Sequence, residues 1–262
     1  MAQRKKPLVK PGVKRDSIVT FLDDFLNTAS IKDYSCNGIQ VQGASQIKKL
    51  ALAVDASMEA YRRTAELGCE MLLVHHGIIW DGLKSISGLP YEHIKFLLDN
   101  DINLYASHLP LDLHPVVGNN AQLAKMIGLS GLKPFGLYKG LMIGFEGTVK
   151  KPISLDNLVH LLCEKLGGEC TVLPFGRKEI KRIAVVSGGA AEELEEAIGK
   201  EVDCYITGEP SHINYHPALE AKINVIYAGH YYTEKPGVQA LGKAITDRFG
   251  IETVFVDIPT TI

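Results

Sequence analysis

Leu104-Tyr105-Ala106-Ser107-His108-Leu109-Pro110-Leu111-Asp112 aligns without a gap to Ile226-Tyr227-Ala228-Gly229-His230-Tyr231-Tyr232-Thr233-Glu234. Both stretches read apolar-Tyr-Ala-small-His-x-x-x-acid. Each ends a predicted strand and precedes a predicted helix. The match implies a duplicated α/β unit, its two copies related by a pseudo-twofold. The same rhythm recurs on both sides of each stretch. Apolar runs at Lys49–Val54, Met71–Val74 and Ile102–Ala106 alternate with helical spacing at Ser57–Leu67, Tyr91–Leu98 and Asn119–Ile127. Ser57 suits an N-cap. In the second half, runs at Ile183–Val186, Cys204–Thr207, Asn224–Ala228 and Thr253–Val256 alternate with helices at Glu192–Ile198, around Ala218, and at Val238–Phe249. A helix over 12–29, a strand near Met142–Val149 and a helix near Leu155–Leu166 complete the pattern. Continuous apolar runs separated by helices predict an α/β fold with largely parallel pairing. The expected division is a basic flexible arm over 1–14, a first half over 15–130 and a second over 131–262.

Composition narrows the classes. The 262 residues are 46% hydrophobic and 22% charged, which excludes a disordered chain. No apolar run approaches the ~18 residues of a membrane span. A net charge of −2 gives no support to bulk nucleic-acid binding, and only the basic N-terminal residues Arg4, Lys5, Lys6, Lys10, Lys14 and Arg15 could contact it. Five cysteines, with no C-x-x-C pair, suit a reduced, cytoplasmic protein with mostly buried thiols. No G-x-x-x-x-G-K-[ST] and no G-x-S-x-G occurs, so neither a P-loop nor a serine elbow is expected.

The chemistry sits at strand ends, where open α/β sheets bind ligands. His75 and His76 end one apolar run. Neighbouring side chains on a strand diverge, so adjacent imidazoles could serve two different ions. His108 and Asp112, like His230 and Glu234, stand four apart and share a face if the segment turns helically. Imidazole with carboxylate suits Zn, Fe or Mn, and a carboxylate could bridge two ions. The alternative is that these histidines cap strands by bonding backbone carbonyls. Ser187-Gly188-Gly189-Ala190 could cradle a phosphate on its N–H groups or simply form a tight turn. Glu209 and His212, after the strand equivalent to the one ending in His75-His76, could line the same cleft. His93 and His114 read as local capping residues.

Four blocks carry a resemblance. They are Asn37-Gly38-Ile39-Gln40-Val41-Gln42-Gly43, Leu73-Val74-His75-His76-Gly77-Ile78-Ile79-Trp80, His108 through Ala124, and Gly229-His230-Tyr231-Tyr232-Thr233-Glu234. Together they resemble the signature blocks of the GTP cyclohydrolase I type 2 homologs, the Nif-three-like dinuclear-metal-centre proteins, in their short form without an inserted domain. The resemblance spans about residue 15 to 257. Some members carry an acidic residue before the Asn-Gly pair, where this chain has Cys36. The resemblance implies a metal site in the cleft between the halves, holding two divalent ions. Its ligands would be His75, His76, Asp112, His230 and Glu234, with Glu234 bridging and His108 a neighbour suited to acid–base work. It implies a toroidal homohexamer, and a hydrolase opening the guanine imidazole ring of GTP or acting on another nucleotide-like substrate. The competing reading is a ring-shaped metal-binding scaffold without catalysis.

Overall fold

The computed structural model describes residues 12–82 and 84–261, so the expected arm lies outside the described residues up to residue 11. In chain order the first elements are β1 (Val13–Lys14), α1 (Arg15–Phe25), β2 (Gly38–Val41), β3 (Gln46–Ile47) and β4 (Lys49–Asp55). Next come α2 (Met58–Glu66), β5 (Met71–His76), α3 (Leu89–Asp99), β6 (Asn103–Ala106), α4 (Leu109–Asp112) and α5 (Asn119–Met126). A hairpin of β7 (Leu129–Tyr138) and β8 (Leu141–Ser154) leads to α6 (Leu155–Leu166), β9 (Thr171–Pro174) and β10 (Glu179–Val185). The chain closes through α7 (Leu194–Gly199), β11 (Cys204–Thr207), α8 (Tyr215–Ala221), β12 (Asn224–Tyr227), α9 (His230–Phe249) and β13 (Glu252–Phe255).

Local signals account for many boundaries. The Ser57 hydroxyl caps α2 by accepting from the Ala60 N–H at 3.2 Å, and Ser154 caps α6 through the Asn157 N–H. Gly167 and Gly250, both left-handed, end α6 and α9. The helix expected over 12–29 stops at Phe25 and is followed by a short 3-10 turn at Thr28–Ser30. β7 escaped the pattern because it is mostly exposed and carries Gly131, Pro134 and Gly136. Such an edge strand shows neither alternation nor an apolar run.

Two large sheets form, in the orders β13-β4-β5-β6-β2 and β7-β8-β10-β11-β12-β9, beside a two-stranded β1-β3 pair. The parallel trio β4-β5-β6 corresponds to β10-β11-β12, and antiparallel β2 beside β6 corresponds to antiparallel β9 beside β12. This is the pair of similar α/β halves that the repeat implied. The pairing is less parallel than expected, because β7, β8, β9 and β2 all run against their neighbours. Parallel strands need buried crossovers, whereas sheet edges do not.

The halves exchange parts. α5 packs Leu123 and Ala124 beside Ile183, Val185 and Ile206 of the second sheet. Its counterpart α9 packs Val238, Leu241 and Ile245 beside Leu50, Leu52 and Leu73 of the first. β13 then pairs with β4, and β8 with β10. The division expected at residue 130 falls within β7. Burying the three α9 side chains contributes about 6 kcal/mol, comparable to the net stability of a whole domain. Each half therefore supplies a helix to the core of the other. The five cysteines are free: Cys69 and Cys204 are buried, Cys163 and Cys170 half-buried, and Cys36 exposed. Among the described residues no helix is long and apolar enough to cross a membrane.

α5 and α9 cross at Gly237. Pro236, inside α9, has no N–H to donate to the preceding turn. The next amide, of Gly237, turns instead to the Asn119 Oδ1 at 2.8 Å. A Cβ on Gly237 would stand 2.3 Å from that oxygen and 2.7 Å from the Asn119 backbone nitrogen. Gly237→Ala is expected to destabilise the fold by about 2 kcal/mol through overpacking. Gly199→Ala, at a helical glycine with nothing within 4 Å of the new methyl, should be neutral or mildly stabilising. Urea denaturation of the two variants tests the crossing, and equal midpoints would refute it.

Candidate metal centre

Four strand ends and two helix starts converge between the sheets. His75, the fifth residue of β5, is fully buried, and its Nδ1 lies 2.9 Å from the Ser107 carbonyl at the end of β6. With Nδ1–H donating there, Nε2 is turned the other way, 3.5 Å from both Asp112 Oδ2 and Glu234 Oε1. His75 thus caps a strand, as the alternative reading held, and still presents a nitrogen to the cleft. His76 is oriented by Asp55 at 2.8 Å and brings its Nε2 to 3.3 Å from Glu234 Oε2. His230 opens α9. Its Nδ1 bonds Glu209 at 2.5 Å, and its Nε2 lies 3.0 Å from Glu234 Oε1. The His-x-x-x-Glu spacing does put both groups on one helical face. Asp112 ends the single turn of α4, where its Oδ1 accepts from Asn119 at 2.8 Å and from the Ser187 hydroxyl at 3.2 Å. That leaves Oδ2 for His75.

The arrangement depends on glycines at close approaches. A Cβ on Gly77 would fall 2.4 Å from the Gln40 amide, which accepts from the Ile78 N–H at 2.7 Å. Gly188, in left-handed conformation, leaves space that a Cβ would fill 2.3 Å from Glu234 Oε1.

The donor set fits divalent metal ions. His75 Nε2, His230 Nε2 and Glu234 Oε2 are buried without hydrogen-bond partners, and such orphans in a native site call for an explanation. Separations of 3.0–3.5 Å between donors match tetrahedral edges around a shared centre about 2.1 Å from each. Each imidazole is fixed through its other nitrogen by a carboxylate or carbonyl, the usual support of a metal-ligating histidine. His76, His230 and Glu234 form one group that could hold an ion, and His75, His76 and His108 another. His108 Nδ1 lies 3.0 Å from Asp33, and its ring packs 5.1 Å from both His75 and Trp80.

Asp33 and Asp55 escaped the sequence reading. They stand 75 and 21 residues from the side chains they orient, and no local spacing marks such pairs. Asn119, within a quoted block but given no role there, orients Asp112. Asn37, within a quoted block, accepts from the His108 N–H at 2.7 Å. Glu209 reaches the cleft as expected, but His212 does not line it. His114 caps locally, its Nδ1 accepting from Val116 and Val117.

Charge balance follows from burial. At His75, burial disfavours the cation, but the Asp112 and Glu234 carboxylates outweigh it and push the ring up to about 10. At His230, burial is likewise outweighed by Glu234 and Glu209, giving about 9. Burial would raise Glu234, yet His75 and His76, with the bond from His230, hold it well below the usual carboxylate range. Burial would also raise Asp33, but His108 and Asn37 hold it far down.

Comparison with known proteins places this chain. The profile of the family described as Duf34/NIF3 (NGG1p interacting factor 3) matches residues 13–261. The chain belongs to the Duf34/NIF3 family. Among Duf34/NIF3 relatives, proteins named GTP cyclohydrolase 1 type 2 homolog come from Pyrococcus abyssi and Archaeoglobus fulgidus. The first is 45% identical over 95% of this chain and 99% of its own, and the second 47% over 94% and 98%. Among solved structures, ybgI superposes with a TM-score of 0.89 at 33% identity, covering 95% of this chain and all of that one. TTHA1606 from Thermus thermophilus gives 0.88 at 35%, with the same coverage. The family expected from the four sequence blocks is therefore the family found, and the Duf34/NIF3 fold is the fold described above.

Because His75 and His230 keep their protons in the metal-free site, an entering cation must displace them. Those protons stabilise the metal-free fold below the unfolded pKa of ~6.5, and that stability is lost as pH rises through about 9 to 10. Cation binding runs the opposite way. The gain in Tm on adding zinc is expected to grow from about pH 6 to about pH 9. Differential scanning fluorimetry measures it, and a gain independent of pH would contradict the assignment.

Proposed function

We propose that this chain is a metal-dependent hydrolase acting on a nucleotide-like substrate. His75, Asp112 and Glu234 would hold one divalent ion, and His76, His230 and Glu234 a second. The observation that carries the reading is that four of these five donors, all but the buried His75, line an open cleft. A cavity of about 470 Å³ is lined by His76, His108, Asp112, His230 and Glu234. A purely structural ion would need no such opening. Divalent ions bound there supply Lewis acidity and lower the pKa of water toward neutral. The chain's own contribution is orientation and proton movement. Asp33 receives the His108 Nδ1–H, which leaves His108 Nε2 to pass a proton to or from a substrate. Ser187 and Asn119 hold the Asp112 carboxylate in one rotamer. The names of the Pyrococcus and Archaeoglobus relatives point to GTP ring opening as the specific form of this reaction.

Assembly into a ring belongs to the same reading. Tyr91 and Leu98, seven residues apart on one face of α3, are 47% and 55% exposed, and exposed apolar side chains of this kind support self-association.

Glu234→Ala removes the shared carboxylate and is expected to abolish metal at both positions. Asp112→Ala should lower content by about one ion per chain. His108→Ala should keep its metal while any hydrolytic rate falls about a hundredfold. Mass-spectrometric metal analysis of untagged protein decides the first two. Equal content in wild type and Glu234→Ala would sink the site, and metal loss in His108→Ala would make His108 a ligand.

A further inference from the structure

Resting on the hydrolase reading above but departing from the triphosphate in the relatives' names, we propose that the cleft selects a phosphate-free, nitrogen-rich heterocycle, which donates N–H groups to Glu192, Glu193 and Glu209, and that it disfavours a nucleoside triphosphate. Among the described residues, none of those lining the cavity is a lysine or arginine. Its rim carries Glu192, Glu193 and Glu209, its wall Tyr138 and Ile143, and its floor Glu234. Glu234 is 3% exposed, with Oε2 unpartnered. Two lysines line an adjoining cavity that shares Glu192 and Glu193 with this one. Both are engaged elsewhere: Lys139 sits over the Tyr34 ring at 3.3 Å, and Lys200 pairs with Glu196 at 2.9 Å.

Two amides of the loop that could have cradled a phosphate are already engaged. The Ser187 N–H donates to Asn120 Oδ1 at 2.7 Å and the Gly188 N–H to Thr233 Oγ1 at 3.0 Å. The next residue, Gly189, faces the Glu209 carboxylate, which would lie 3.2 Å from an added Cβ. Away from a metal ion, phosphate recognition calls for amides or guanidinium groups that point at the anion. Here the Ser187 and Gly188 amides are spent on the fold and the Glu209 carboxylate stands beside Gly189.

Charge counting gives the same answer. Two divalent ions would be half neutralised by Asp112 and Glu234, and the three rim glutamates exceed what remains. A triphosphate would add several negative charges to that surplus. An uncharged heterocycle with adjacent N–H groups, such as the edge of a guanine or a cyclic urea, instead gives Glu192 or Glu193 paired donors and Glu209 a donor for the oxygen that His230 leaves free. Burial, with the neighbouring charges of Glu192 and Glu196, already pushes the Glu193 carboxyl up, so a donor there relieves an existing crowding of charge.

The test is titration calorimetry on the full-length, zinc-loaded protein, with guanosine and GTP as probes and zinc content measured on the same sample. Guanosine is expected to bind at least about tenfold tighter than GTP. Glu193→Gln should weaken guanosine about fivefold. The double variant Glu192→Lys/Glu193→Lys should improve GTP binding about tenfold or more. GTP binding as tightly as guanosine overturns the proposal while leaving the hydrolase reading standing. So does a failure of guanosine to bind zinc-loaded wild type. A sample that takes up no zinc sinks the hydrolase reading, and this proposal with it.

Discussion

Asn119 holds the molecule together at the point where its halves cross. Its amide nitrogen donates to Asp112 and its oxygen accepts from Gly237. One fully buried side chain therefore joins the carboxylate that ends α4 to the helix that begins with His230 and carries Glu234. The contact exists because Pro236 disrupts the helical ladder and Gly237 has no side chain to keep α5 away. An unpaired amide at this depth would cost about 1–3 kcal/mol. The candidate ligands come from elements that belong to different sheets, and their relative position is only as definite as this crossing.

The exchange of α5, α9 and β13 ties the two sheets together without making the cleft small. Each sheet is completed by an element from the other half of the chain, so opening the cleft as a hinge would expose apolar core. Accommodation of a ligand falls to the rim, where the β7–β8 hairpin and the segment after β10 border the cavity. This division suits a site that must keep several donors within a few tenths of an ångström and still admit different molecules.

Electrostatics explain why so many charged groups tolerate burial. Asp112 and Glu234 are among the most buried carboxylates of the chain, and an ionised carboxylate without partners would not remain charged there. Without metal, protons on His75 and His230 supply the counter-charge. With metal, the ion does. The outer partners Asp55, Glu209, Asp33 and the Ser107 carbonyl stay in place in either case, because they bond the nitrogen that faces away. The site is preorganised by hydrogen bonds that do not depend on what fills it.

Reading the chain alone was enough to find the repeat, the strand ends at His75-His76, His108 and His230, the four-residue His-to-acid spacing, and the family. These are local facts: a strand of apolar residues, a helical turn and a left-handed glycine are set by neighbours within a few positions. No such reading could show that α5 and α9 trade sheets, that β13 returns to β4, or that Asp33 reaches His108 across 75 residues. Nor could it show that the Ser187–Gly188 amides are already engaged and that Glu209 stands over Gly189. Those depend on which surfaces meet once the elements pack. Packing energy is collected between residues far apart in the chain, where no period or spacing records it.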